Sequence, residues 1–170
     1  MTKPSLEQSQ AEGGLHHQLS KLVGEWEGVT RTWFEPDTLE DESVWRGTIR
    51  PVLGGRFVVH EYEGAFKGKP LAGMAIYGYH LDPERYEMAW VDSFHSGTGI
   101  MFSTGSRGGQ GYAVQGSYAA PSGPPWGWRT EIHQPEPDRL LITHYNIPPE
   151  GQGPETKAVE TEYRRRAPSR

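Results

Sequence analysis

The segment LVGEWEGVTRTWF, residues Leu22 to Phe34, alternates cleanly with a period of two. One set of alternate residues is small or aromatic: Gly24, Trp26, Gly28, Thr30, Thr32 and Phe34. The other set carries three charges, on Glu25, Glu27 and Arg31. Successive side chains of a β-strand point to opposite faces, so the first set is expected to face a protein interior. The segment therefore predicts a strand whose inner face begins with Gly-x-Trp.

The composition indicates a folded chain of 170 residues, which suits one domain. Aliphatic residues are few, but 6 Trp, 8 Tyr and 5 Phe can form a core, since each buried aromatic covers roughly 150–250 Å². The formal net charge of only −5 and the many aromatics argue against disorder. The lack of cysteine excludes a disulfide scaffold and a thiolate metal site.

The ends of the chain are polar, and no signal peptide is expected from the first 14 residues. No apolar run approaches the ~20 residues that span a bilayer, and the mild acidity argues against nucleic acid as the main partner. A cytoplasmic location is expected. We predict a flexible N-terminal tail (1–14), a barrel domain (15–166) and a C-terminal tail (167–170).

Beyond the first strand, short segments of period two recur along the chain, separated by turn signals rich in Gly, Pro and Asp. The predicted strands are 24–34, 43–50, 56–63, 71–80, 86–94, 98–104, 111–118, 126–134, 139–147 and 156–166. The absence of crossover helices predicts an antiparallel meander, and closure of ten strands into a barrel would remove exposed edges. A short helix over 15–24, with Leu15, Leu19 and Leu22 on one stripe, is expected to plug one end.

Successive turns of a meander alternate between the two ends of a barrel. Turns one, three, seven and nine, with the sequences EPDTLEDE, AFKGKP, AAPSGPP and PPEGQGPE, are long and share one end. The turns at the other end are mostly tighter, and the chain enters there through the short helix. The sequence therefore predicts one plugged base and one open mouth.

Gly24-x-Trp26, preceded by a short helix and followed by a meander, resembles the lipocalin-like (calycin) barrels. In that family Gly-x-Trp closes the base, and an Arg or Lys of the last strand packs across the indole. The apolar parity of Val159 and Tyr163 selects Arg165 for this position. A cation over an indole face is favourable by about 0.5–2 kcal/mol.

Three motifs carry a narrower resemblance: LVGEWEG, VLGGRFVVHEYEG and YEMAWVDSF. In this order and at these spacings they resemble an uncharacterised bacterial family, domain-of-unknown-function family 1579, over about residues 20–165. The resemblance implies a lipocalin-like fold and brings no established reaction.

Polar residues on inward parities are the candidate ligand-binding residues: His60, Tyr62, Trp90, Asp92 and His144. They are expected at similar heights in the upper half of an aromatic-lined cavity. Two alternatives stay open. Asp92 could be a structural carboxylate bonded to backbone N–H groups, and Phe57 and Val59 could face inward, which would turn His60 outward.

The other histidines carry less weight. His133 is expected in solvent, His16 and His17 on the N-terminal helix, and His80 and His95 at turns, with that of His95 tight and by the mouth. No pair has metal-ligand spacing such as H-x-H, so no metal site is expected. The glycines of GGRF and SRGGQG precede no helix and are interpreted as hairpin turns rather than phosphate loops.

These residues favour binding of a small, largely apolar or amphipathic molecule in the barrel, with no cofactor. One alternative is an enzyme with a His–Asp pair as general base and acid. A second is haem binding through an axial His144 or His60, and a third is a barrel filled by its own side chains. No nucleic acid or membrane partner is expected, and a homodimer is left open.

Overall fold

A computed structural model describes residues 2–107 and 111–167 of the chain. The elements are α1 (Leu6–Gln10), α2 (Leu15–Ser20), β1 (Gly24–Glu35), β2 (Thr38–Val52), β3 (Phe57–Phe66), β4 (Lys69–His80), β5 (Arg85–Asp92), β6 (Met101–Ser106), β7 (Tyr112–Tyr118), β8 (Trp126–Glu136), β9 (Arg139–Ile147) and β10 (Thr156–Arg165). Each strand pairs with its neighbour in sequence, and antiparallel pairing of β1 with β10 closes the barrel. The predicted all-β meander barrel with a helical N-terminus is confirmed.

The alternation seen in the sequence becomes an alternation of burial. Along β5, the side chains of Tyr86, Met88, Trp90 and Asp92 are buried, and the residues between them are half-buried. This is the pattern of a sheet that wraps a core on one face and meets solvent on the other. This strand therefore brings two aromatic rings, a thioether and a carboxylate into the interior.

Two inward glycines make room for these large side chains. A Cβ at Gly47 would overlap His60 and the hydroxyl of Tyr163, and a Cβ at Gly73 would overlap the ring of Tyr62. Glycine in a strand often marks such a close approach.

Trp26 lies at the base of the barrel with no exposed surface. Its Nε1 donates a hydrogen bond to the carbonyl of Leu22 at 2.9 Å. The guanidinium carbon of Arg165 lies 4.4 Å from the centre of its ring. Arg165 also donates to the carbonyls of Val23 at 2.5 Å and Lys21 at 3.0 Å. The last strand is thereby bonded to the segment that joins α2 to β1.

Part of the expected N-terminal tail is ordered, because residues 6–10 form α1. Ser5 and Gln8 make a reciprocal capping box at its start. The hydroxyl of buried Ser9 lies 2.8 Å from Nδ1 of His16 and connects α1 to α2. Of the expected C-terminal tail, residues 168–170 lie outside the described residues. None of the described helices is long and apolar enough to span a bilayer.

Three local predictions about the mouth are wrong. Turns one and three are tight, with only 36–37 and 67–68 between the strands, because β2 and β3 run further than the sequence indicated. Turn five is long, because β6 begins at Met101 and leaves 93–100 as a loop. Phe34 is not inward but 61% exposed, because register shifts on either side of Trp33 break the alternation at the end of β1.

Candidate functional site

The barrel interior is divided by height into a nearly filled lower part and an open upper part. The lower part encloses a void of only about 20 Å³, room for about one water molecule. The upper part holds a cavity of about 510 Å³ at the mouth, here called the mouth cavity. Its lining residues are Trp33, Phe34, Trp90, His95, Ser96, Gly99, Ile100, Met101, Ser117, Tyr118, Ala119, Trp128, Asn146, Ala158 and Val159.

Three rings form a layer between these two spaces, here called the aromatic platform: Trp90, Trp128 and His144. The centre of the His144 ring lies 5.6 Å from that of Trp90 and 5.4 Å from that of Trp128. The two indoles lie 5.7 Å apart, and all three planes are within 24° of parallel. Trp90 borders both the lower void and the mouth cavity, so this layer lies at the boundary between the two spaces.

His144 is neutral at the depth where it lies. Burial lowers its pKa to about 3, because a charged imidazolium would lose its hydration there. Its Nδ1 lies 2.8 Å from the hydroxyl of Thr130, which fixes the orientation of the ring. Its Nε2 has no hydrogen-bond partner among the residues that the structure describes.

Asp92 ends β5 and organises the loop that follows. Its Oδ1 accepts hydrogen bonds from the backbone N–H groups of Phe94 at 3.3 Å, His95 at 2.6 Å and Ser96 at 2.7 Å. Its Oδ2 lies 2.5 Å from Nδ1 of His95. Burial alone would raise the pKa of Asp92, but hydrogen bonding to His95 and to the backbone outweighs it, and the net shift is downward.

His95 is the residue whose place at the site the sequence interpretation missed. Its ring packs 5.4 Å from Trp90 and 5.8 Å from Trp128, and it borders the mouth cavity and the lower void. The local signal was present in the run Asp92-Ser-Phe-His-Ser, since an aspartate that precedes a turn often binds the backbone of the next residues. A histidine three residues on is brought back over the strand end by that turn.

His60 faces inward but lies below the platform. Its Nδ1 is 2.9 Å from the hydroxyl of Tyr77, and its Nε2 is 3.1 Å from the hydroxyl of Tyr163. Burial lowers the pKa of His60 to about 3. With both nitrogens engaged, His60 could bind haem iron only by giving up one of these bonds.

Tyr62 also lies below the mouth cavity, where its hydroxyl accepts a hydrogen bond from Nε1 of Trp90 at 2.9 Å. Its ring stacks on Trp45, with centres 5.2 Å apart. Tyr62 thus supports the platform from beneath. Of the five predicted site residues, the structure brings Trp90 to the mouth cavity and His144 to the layer below it. Asp92 does not line the cavity but contacts the ring of His95, which does.

Further polar groups surround the mouth cavity. The hydroxyl of Tyr118 donates to Oδ1 of Asn146 at 2.7 Å, which leaves the amide nitrogen of Asn146 as a donor. Nε1 of Trp128 is buried without an acceptor among the described residues. Those residues contain no cluster of three or more His, Cys, Asp or Glu side chains that could hold a metal ion.

The barrel is shared with solved proteins of low sequence identity. The S-type phycobiliprotein lyase CpeS from Guillardia theta is 13% identical, with a TM-score of 0.57 over 98% of this chain and 100% of that chain. Rv2717c from M. tuberculosis is 18% identical, with a TM-score of 0.57 over 89% of this chain and 96% of that chain. These similarities show a common lipocalin-like fold.

No curated protein matches the sequence. A family model does match it, over residues 11–165, which is most of the chain. The chain therefore belongs to the family described as "Protein of unknown function (DUF1579)".

Proposed function

We propose that the protein binds a small, flat, largely apolar molecule in the mouth cavity, above the aromatic platform. The observation that carries this proposal is the cavity itself. Its volume of about 510 Å³ lies within the ~300–1,000 Å³ usual for small-molecule sites. Apolar and aromatic side chains dominate its lining, and a few polar groups stand at its edge, as in most such sites.

The filled lower barrel supports this location over the deeper one. Space for about one water molecule cannot accept a ligand, whereas the space above Trp90 can. In this proposal Trp90 and His144 belong to the surface beneath the ligand, His60 and Tyr62 support that surface, and Asp92 positions the loop. The similarity in fold to a phycobiliprotein lyase supports ligand binding in general.

The test uses N-phenyl-1-naphthylamine, a neutral flat fluorophore that brightens in apolar surroundings. We expect saturable, micromolar-range binding with quenching of tryptophan emission, since Trp90 and Trp128 lie at the floor of the cavity. Trp128→Leu should weaken binding by roughly two- to tenfold, because an aromatic pair contributes about 0.5–1.5 kcal/mol beyond its buried area.

The matched control is Phe102→Leu, which changes a 55% exposed ring that does not line the cavity. This variant should bind the fluorophore with the same affinity as the wild-type protein. Absence of saturable binding, or equal effects of the two substitutions, would contradict a ligand site in the mouth cavity.

A further inference from the structure

The contact with Asp92 determines which ring nitrogen of His95 donates a hydrogen bond and which one accepts. The carboxylate of Asp92 has no exposed side-chain surface, and an ionised carboxylate only accepts hydrogen bonds. Its Oδ1 already accepts from three backbone N–H groups. Nδ1 of His95, 2.5 Å from Oδ2, must therefore carry a hydrogen atom. In the neutral imidazole the remaining nitrogen, Nε2, is then a hydrogen-bond acceptor.

This acceptor has no partner within the described part of the chain, and its ring lines the mouth cavity. The titratable groups around it are Asp92 at the end of β5 and His144 on β9, which stays neutral. Among the described residues that line the cavity, none is Lys, Arg, Asp or Glu. A permanently charged ligand would find no fixed opposite charge there, whereas a ligand that donates one hydrogen bond would find Nε2.

We propose that the ligand of the mouth cavity is a flat aromatic compound with a weakly acidic hydroxyl group, a phenol or an enol, which donates a hydrogen bond to Nε2 of His95. This inference rests on the proposed function and names the chemical class that the site takes. The aromatic platform provides the flat apolar contact, and His95 provides a directional one. Replacing the hydroxyl by an ether leaves Nε2 without a donor, and an acceptor that the ligand covers without pairing it lowers the affinity.

The test compares 7-hydroxycoumarin with 7-methoxycoumarin, which differ by one methyl group, at a pH where the hydroxyl of the free compound is protonated. Binding is followed by quenching of tryptophan emission. We expect the wild-type protein to bind the hydroxy compound on the order of tenfold more tightly, which is the value of about one hydrogen bond.

Two substitutions separate this role from a structural one. His95→Phe, which keeps an aromatic ring beside Trp90 but has no hydrogen-bond acceptor, should reduce the preference to within about twofold. In Asp92→Asn the new amide N–H₂ faces Nδ1 and favours the opposite tautomer, with hydrogen on Nε2. The preference for the hydroxy compound should then be lost while 7-methoxycoumarin binds as before. His133→Gln, which changes an exposed histidine of β8, should leave both affinities unchanged.

The outcomes distinguish the two proposals. Binding of 7-methoxycoumarin with no preference for the hydroxy compound would overturn the role of His95 and retain the ligand site. Failure of both coumarins and of the neutral fluorophore to bind would overturn the ligand site itself. A preference that persists in His95→Phe would also overturn this inference. If circular dichroism shows that Asp92→Asn is unfolded, the His95→Phe comparison decides.

Discussion

At the scale of single residues, the base of the barrel shows how much an alternating pattern can predict. Three consecutive arginines, Arg164 to Arg166, span the end of β10, and parity with Val159 and Tyr163 selects Arg165 as the inward one. Its guanidinium lies over Trp26. The guanidinium also fills the space that a side chain on Gly24 would need. Gly24 and Trp26 of the first strand and Arg165 of the last strand thus pack together at the base.

We predict that Trp26→Ala lowers the free energy of unfolding by about 3–5 kcal/mol, the cost of deleting a large buried aromatic. Trp26 is fully buried, so the space would stay empty or be filled by rearrangement of the base. Urea denaturation measures the change, and Phe102→Ala, an exposed ring, is the control. A melting temperature within a degree or two of the unchanged protein would rule out Trp26 as the base plug.

His95 marks the limit of the same method. The alternation predicts which side chains point inward only within a regular strand. His95 lies three residues beyond the end of β5, where no such period applies. It reaches the interior because Asp92 binds the backbone of the turn. A contact of this kind depends on loop geometry, which hydrophobic alternation does not encode. Alternation therefore indicated the inward direction of strand residues such as Trp90, and it indicated nothing for His95 in the loop.

At the scale of elements, all ten strands were predicted within a few residues, since each combines alternation with turn residues at its ends. The errors lie at the mouth, where β2 and β3 extend past polar sequences that resembled loops. Leu39, at 49% exposure, belongs to such an extension. A strand that projects beyond the core needs no inward apolar residue, so its end carries no period-two signal.

The loop 93–100 is as long as the connection of β9 to β10 (148–155) and longer than the other three connections at the mouth, and Asp92 holds its first turn. We predict that Asp92→Ala speeds amide hydrogen exchange of Phe94, His95 and Ser96 on the order of tenfold or more, because their shared acceptor is removed.

Amide exchange of Met88, which lies in β5 with Asp92 and pairs with Tyr77 of β4, should not change. Thr98→Ala, in the same loop, is the matched control and should leave all three amides as they were. Unchanged protection of the three amides in Asp92→Ala would show that the loop is held by other contacts.

At the scale of the whole molecule, the sequence predicted a barrel but not how its interior is filled. Inward residues were expected to share one height around a cavity. Instead the tyrosines and His60 fill the lower half, and space opens only above Trp90. The volume of the cavity depends on how rings from different strands pack against one another. The alternation along a single strand does not predict it.

His60 and His144 make the folded state sensitive to acid. The pKa of His60 falls from an ordinary 6.5 to about 3 on burial, and that of His144 falls likewise. As the pH falls below 6.5, the unfolded chain binds protons that the folded chain does not, so stability is lost until the folded pKa is reached. Each such group lowers the free energy of unfolding by about 1.4 kcal/mol per pH unit in that window.

We therefore predict that His60→Gln flattens the fall in stability between about pH 6 and pH 4, whatever its effect at neutral pH. Urea denaturation across this range measures the slope. His133→Gln, on the solvent-facing side of β8, should keep the slope of the unchanged protein. An equal slope in His60→Gln would mean that His60 takes up its proton in the folded state.

The pairing of β1 with β10 also has a consequence during synthesis on the ribosome. β1 emerges first, yet one of its edges has no partner until the last strand has been made. Until then the nascent chain presents that edge to any neighbouring nascent chain, and an unpaired edge invites pairing with a foreign strand. The outward charges of Glu25, Glu27 and Arg31 make such pairing less favourable. The same alternation that orients the finished barrel thus also protects it before it can close.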